Sequence, residues 1–238
     1  MTKLVECGSS IEEIAKETYN ALRDGGLVLV PDCIGYGLVA HSEESVRKIY
    51  SLKERDFSKT LTHYMNLKYC RNVADISEQN FELIEKVTRE APCCFIVPLQ
   101  QGTYYEHPYF SNLSDFALNQ STEKGTIALF FENESPLVND LTALALEDNF
   151  ALIVSSANKS GEGNTYEFTR VPATISENCN LTLYYKEPCK HIKEASQPKE
   201  SNLLGATIVD IKTKKILRHG VFANTIANMI KNIAGCVR

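Results

Sequence analysis

Two groups of polar residues in this chain have types and spacing suited to holding phosphate or carboxylate oxygens. The first is Lys53-Glu54-Arg55 with Lys59 close behind, three cations within seven residues. Lysine offers a compact point charge, and arginine offers a planar fork that can grip two oxygens at once. The second is Ser156-Ala157-Asn158-Lys159-Ser160-Gly161, a run of hydroxyl and amide side chains ending in glycine. A turn of that composition can present side-chain donors and freed backbone N–H groups to an anion. Each group also has a plainer reading. Cations at a helix end answer its negative dipole, and Ser156, Asn158 and Ser160 can bond their own backbone in a turn. Lys53 and Arg55 are two residues apart, so both can face one cleft only if the preceding helix ends about there.

The elements that must position these groups follow from the hydrophobic pattern. Ala151 to Val154 is an uninterrupted apolar run, which suits a strand covered on both faces. The polar turn then falls at its carboxyl end, where open α/β sheets place ligands. Near the start, Ser9 and Glu12 form a capping-box pattern, with Ile11, Ile14, Ala15, Thr18 and Leu22 on one helical face. Gly25-Gly26 stops that helix, and Leu27 to Val30 is a buried strand that Pro31 ends. Pro31 to Leu38 is then a glycine-bearing turn or loop. A second helix is expected from Glu43 to Leu52, capped by Ser42, with Val46, Ile49 and Tyr50 inward.

Farther on, Leu61 to Val73 shows no clear period. Ser77 to Glu90 is helical, Cys93 to Val97 a strand, Gln100 to Gly125 a long loop, and Thr126 to Phe131 a strand. Ser135-Pro136 opens a helix with Leu137, Leu141 and Leu144 inward. Leu181 to Tyr185 is a strand, and Lys186 to Asn202 is expected to be a mobile surface segment. Ala206 to Ile211 and Lys215 to Arg218 are two strands joined by a turn, and Phe222 to Ile233 is a closing helix. There is no internal repeat and no clean linker, so residues 1–238 are expected to form one mixed α/β domain with its core over about 11–230.

The bulk numbers exclude several functions. A formal net charge of -5 gives no support for a generally basic, nucleic-acid-coating surface. The eight cysteines include no C-x-x-C pair, and the five histidines show no metal-ligand spacing, so no metal site is expected. Cys33 is a candidate reactive thiol near cations, and His63 a candidate cavity residue. Neither a P-loop nor a G-x-G-x-x-G fingerprint is present. No apolar run approaches a membrane span and no signal peptide is evident, so a cytoplasmic protein is expected.

Taken in order, four segments resemble the YrdC family of threonylcarbamoyl-adenylate synthases. The family's Pro-Thr-Asp-Thr-x-Tyr-Gly-Leu loop is similar to Pro31-Asp-Cys-Ile-Gly-Tyr-Gly-Leu38. Its Lys-x-Arg signature is similar to Lys53-Glu-Arg55, and its Ser-Ala-Asn-x-Ser-Gly to Ser156-Ala-Asn-Lys-Ser-Gly161. Its Ser-Thr strand and Ile-Leu-Arg-x-Gly turn resemble Ala206-Thr-Ile-Val-Asp210 and Ile216-Leu-Arg-His-Gly220. The resemblance implies a twisted mixed sheet flanked by helices around a concave cationic cavity. It also implies a reaction in which L-threonine, bicarbonate and ATP give threonylcarbamoyl-AMP and pyrophosphate for tRNA modification, with Mg2+ bound alongside ATP. On that resemblance Lys53 and Arg55 are catalytic. Lys59, Ser156, Asn158, Ser160, Thr207 and Arg218 bind nucleotide, and Asp32, Ile34 and Tyr36 form the substrate-side loop. The implied partners are ATP, a small amine or amino acid with bicarbonate, and tRNA-modification proteins.

The chain departs from that pattern at particular places. Asp32 and Ile34 replace the loop's two threonines, and Cys33 replaces its aspartate. Phe130 stands at the place of an arginine and Ala206 at the place of a serine. Three readings follow: an ATP-using enzyme that activates a carbamate or carboxylate of a different amine or acid, the ordinary threonine enzyme, and a non-catalytic nucleotide- or RNA-binding protein.

Overall fold

A computed structural model describes residues 2–8, 10–100, 106–189 and 204–235. Eleven strands among them form one continuous mixed sheet. In chain order they are β1 (Lys3–Glu6), β2 (Val28–Asp32), β3 (Gly35–Ala40), β4 (Thr62–Tyr64), β5 (Cys93–Pro98), β6 (Thr122–Glu123), β7 (Thr126–Phe131), β8 (Ile153–Ser156), β9 (Leu181–Tyr184), β10 (Thr207–Asp210) and β11 (Lys215–Arg218). Across the sheet the order is β1-β9-β2-β3-β8-β4-β7-β5-β10-β11, with the short β6 paired to β7. The helices are α1 (Ile11–Arg23), α2 (Glu43–Leu52), α3 (Leu67–Val73), α4 (Glu78–Glu90), α5 (Pro108–Ser111), α6 (Asp115–Ser121), α7 (Pro136–Glu147), α8 (Ala173–Ser176) and α9 (Ala223–Gly235).

The apolar strands are covered on both faces, and alternation along each strand decides which layer a residue meets. On β2, Leu27 and Leu29 pack with Val46, Ile49 and Tyr50 of α2. Val28 and Val30 point the other way, among Ala15 and Leu22 of α1 and Leu137 and Leu141 of α7. On β5 and β7, Cys93, Phe95, Leu129 and Phe131 meet Ile84 and Val87 of α4 and Ile226 of α9. Their alternates, Cys94 and Phe130, belong to the layer shared with α1 and α7. Register carries that alternation across the sheet as a row, Phe130 opposite Cys94, Cys94 opposite Ile208, and Ile208 opposite Arg218.

Several expectations change. β2 runs through Pro31 to Asp32, and the expected loop is a hairpin whose second arm, β3, starts at Gly35. Beside Pro31 the pairing with β9 has already ended at Leu29, so the missing N–H breaks no ladder bond to that neighbour. Helix α1 is flanked by Ser10 with no side-chain cap bond and Glu12 pairs with Lys16; Ser9, on which the expected capping box rests, lies outside the described residues. Gln100 to Gly125 is not one long loop, since α5, α6 and β6 lie within it. Leu61 to Val73 resolves into β4 and α3. The expected mobile segment from 186 to 202 lies mostly outside the described residues, although Lys186 pairs with Glu6 at 3.0 Å. Among the described residues no helix is long and apolar enough to cross a membrane.

Candidate functional site

The polar turn after β8 is held from below by a lysine. Helix α2 is capped by Ser42, which accepts from Ser45 N, and it ends at Leu52. Lys53 closes it, and Glu54 adopts a left-handed backbone with φ 50 that reverses the chain. Lys53 is consequently turned inward and is only 1% exposed. Its Nζ donates to Ser156 O, and to Asn158 O at 2.5 Å, while its own carbonyl accepts from Ser160 N at 2.8 Å. Asn158 completes the turn by donating from Nδ2 to the carbonyls of Lys159 and Glu162, both at 2.8 Å. Burial, helped by the charge of Arg55, lowers the Lys53 pKa to about 7. The ammonium is thus held by carbonyl dipoles, with no carboxylate in ion-pair contact among the described residues.

Arg55 faces the other way. Its Nη2 donates to Thr60 O at 2.8 Å and its Nε to Lys59 O at 3.2 Å. The same Lys59 carbonyl accepts from Tyr50 Oη at 2.8 Å, so the loop after α2 is a fixed base for the guanidinium. Across the sheet, Arg218 at the end of β11 donates from Nε to Ala206 O at 3.0 Å. It is reachable by solvent yet ringed by protein atoms, and burial followed by the charge of Arg55 lowers its pKa. Among the described residues neither arginine has a carboxylate in ion-pair contact.

Both arginines line a cavity of about 670 Å³. Its floor is apolar, made by Leu61, Cys94, Phe130 and Val154, and its rim carries Ser155, Ser156 and Asn158. Asp32, Ile34, Tyr36 and Asn164 also line it. Asp32 Oδ1 accepts from Ile34 N at 2.9 Å, and Oδ2 from Tyr64 Oη at 3.0 Å. Glu132 lies close behind, accepting from Cys33 N at 2.9 Å and Ser135 N at 2.6 Å. Burial raises the pKa of both carboxyls, and the charge of Asp32 pushes Glu132 further in that direction.

The structure therefore brings Arg55, Ser156, Asn158, Arg218, Asp32, Ile34 and Tyr36 together and leaves six sequence candidates, Lys53, Lys59, Ser160, Thr207, His63 and Cys33, out of the lining. Lys53 is the clamp beneath it. Lys59 Nζ reaches Ser160 Oγ at 3.3 Å at the exposed edge of the turn. Thr207 is fully buried, with its hydroxyl donating to Val221 O and accepting from Gly220 N. His63 is likewise a core residue, with Nδ1 2.9 Å from Tyr109 Oη. Cys33 is not a thiol near cations. It is buried beside Glu132 and Asp32, and burial with those charges drives its pKa well up. The sequence reasoning missed Thr62, Asn164 and the buried Glu132. The last directly follows the apolar run of β7, a place that could have drawn attention to it. Among the described residues no set of three His, Cys, Asp or Glu side chains comes together in a way that could hold a metal ion.

A mixed sheet flanked by helices, with a carboxyl-end turn and two arginines bordering one cavity, defines the class as α/β. Within it, the family described as "Telomere recombination" (Sua5, YciO and YrdC) matches residues 20–220, and the chain belongs to that family. A hypothetical protein from Streptococcus mutans is similar in structure at a TM-score of 0.75 and 15% identity, covering 98% of this chain and 95% of that one. E. coli YciO is similar at 0.66 and 15%, covering 93% and 96%. P. abyssi Sua5, complexed with L-threonine, is similar at 0.67 and 16%, and the match covers 92% of this chain but 57% of Sua5. At these identities the likeness shows the fold. No curated protein matches the chain.

Proposed function

We propose that the cavity binds ATP, with its phosphates between Arg55 and Arg218, and joins AMP to the carbamate of a small amine or amino acid. The observation that carries this reading is the pair of arginines facing one cavity without carboxylate partners among the described residues. Like charges held together in a partly desolvated site favour a polyanionic ligand. A carbamate is already an anionic nucleophile. Its oxygen attacks the α-phosphorus, the bond from that phosphorus to the bridging oxygen breaks, and pyrophosphate leaves with the electron pair. The step needs no strong base, only charge neutralisation and alignment. Arg55 and Arg218 supply the charge, the Ser156 hydroxyl can donate to a phosphate oxygen, and Lys53 keeps the turn in place. The apolar floor excludes water that would hydrolyse an acyl phosphate.

Membership of a family that includes Sua5, seen with L-threonine, supports an amino acid as acceptor. The replacement of the loop threonines by Asp32 and Ile34 favours an acceptor other than threonine. The same replacements favour, as the second reading, a protein that holds nucleotide or RNA without turnover. The test is exchange of labelled pyrophosphate into ATP with bicarbonate and a panel of amines and amino acids. Exchange that depends on bicarbonate and one acceptor is expected. Arg55→Ala and Arg218→Ala should each weaken ATP binding roughly 10- to 100-fold, the loss of a charge-assisted contact. Nucleotide binding without exchange for any acceptor would establish the second reading. No nucleotide binding at all would refute both uses of ATP.

A further inference from the structure

One wall of the cavity carries a carboxylate with no cation in ion-pair contact among the described residues. Asp32 lines the cavity, and both of its oxygens accept hydrogen bonds, from Ile34 N and Tyr64 Oη, which favour the ionised form. Glu132 stands behind it. Among the described residues neither has a lysine, arginine or histidine in ion-pair contact. A second acceptor adjoins the first: Asn164 donates from Nδ2 to Ile34 O at 2.6 Å, and its Oδ1 is buried with no hydrogen-bond partner. Asp32 and Asn164 thus grip the two sides of Ile34. The way in is left open by Gly37. A Cβ there would come within 3.0 Å of Tyr64 Oη and 3.6 Å of Asp32 Oδ2. Gly37 also pairs with Ser156, so the acceptor wall and the polar turn are adjacent along neighbouring strands.

We propose that this wall recognises an ammonium group, and that the acceptor is a small primary amine bearing a second, cationic nitrogen, such as a diamine or a basic amino acid. The inference rests on the cavity's proposed use in activating a carbamate. A nitrogen that has become a carbamate is uncharged, so the positive charge facing Asp32 has to belong to another nitrogen of the same molecule. One end of the ligand then carries the anion that faces Arg55, Arg218 and the nucleotide. The other carries the ammonium that replaces the missing counter-charge of Asp32. Leu61, Phe130 and Val154 cover the methylenes between them.

Calorimetry on the full chain tests this with 1,3-diaminopropane, L-lysine, L-norleucine and L-threonine, with and without a non-hydrolysable ATP analogue. L-Lysine and the diamine are expected to bind, and norleucine, which lacks only the second nitrogen of lysine, to bind roughly 10- to 100-fold more weakly. Asp32→Asn should remove that preference while leaving affinity for the ATP analogue. Gly37→Ala should weaken the diamine with the charge intact, and so checks the result should Asp32→Asn fold poorly. Norleucine or threonine binding the wild-type protein as well as lysine overturns the proposal, as does absence of any amine binding. Arg218→Ala separates the two readings, since it should cost ATP affinity and spare the diamine. Diamine binding by a protein that takes no ATP would refute the proposed reaction and leave the ammonium site standing.

Discussion

Replacing Lys53 by methionine tests whether its role is to clamp the turn from within. Two opposing effects set the net stability change. The wild-type ammonium is buried among carbonyls, and its pKa falls from 10.5 to about 7, chiefly by burial and then by the charge of Arg55. At about 1.4 kcal/mol per tenfold change in proton affinity, carrying that group costs the fold roughly 4 kcal/mol at pH 7. Methionine removes the cost but orphans the carbonyls of Ser156 and Asn158, at roughly 1–3 kcal/mol each. The two terms nearly cancel, so the net change discriminates little. Its pH dependence does. Between the folded and unfolded values the unfolded chain holds the extra proton, so this lysine makes stability rise with pH, by roughly 1.5 kcal/mol from pH 7 to 8.5. Glu132, whose folded pKa is raised, acts in the opposite direction over part of that range. The quantity to measure is therefore a difference. Urea denaturation of wild type and Lys53→Met at both pH values should show the variant lacking that increment. Equal pH responses would mean Lys53 is not a desolvated ammonium and would sink the clamp.

Other consequences concern packing and reactivity. Gly220→Ala would put a Cβ 2.2 Å from Gly205 O and 2.4 Å from the Ala206 carbonyl carbon, both backbone atoms that cannot swing aside. The expected loss is roughly 3 kcal/mol or more, read as a shift in the denaturation midpoint. The Cys33 thiol should resist alkylation at pH 8 until the protein is unfolded, because burial and the adjoining carboxylates suppress the thiolate. Rapid labelling of Cys33 in the folded protein would contradict that placement.

Strands β2, β5, β7 and β8 were readable because each carries a near-continuous apolar run, a pattern that burial on both faces permits, whereas β3 and β4, which also line the cavity, carry none long enough to stand out. Helices α2, α4 and α7 were readable from their period, and the expected caps Ser42 and Ser135 both accept from a backbone N–H. Pro31 misled because a proline is read as a strand end, whereas the pairing partner that would have needed its N–H stops two residues earlier. The short helices α5 and α6 have too few turns to show a period. In the site, residue type gave the cations but not their direction. Lys53 and Arg55 share a signature, yet the left-handed Glu54 between them sends one into the interior and the other into the cavity. Asp32 and Glu132, about 100 residues apart in sequence, could be paired only by the fold.

The departures from the family pattern gain meaning from where the sheet puts them. Asp32, Ile34, Phe130 and Ala206 all line the one cavity, and Cys94, also in its lining, is the cross-strand neighbour of Phe130. At two of these positions the charge changes, since Asp32 stands where the family pattern has a threonine and Phe130 where it has an arginine. Tyr64 joins the two places: its ring centroid is 5.9 Å from that of Phe130, and its hydroxyl bonds Asp32. Relative to the pattern, the loop's carboxylate has moved by one residue, from the place of Cys33 to Asp32 in the cavity lining, and a positive charge has been lost within the reach of a single side chain. The lining keeps Arg55, Ser156, Asn158 and Arg218. A site that had merely decayed would have no reason to keep a half-buried carboxylate without a cation beside it, because an unanswered charge is costly in a folded wall. On the proposed reaction, a ligand that brings the matching charge would remove that cost, at the end of the cavity the proposal assigns to the acceptor.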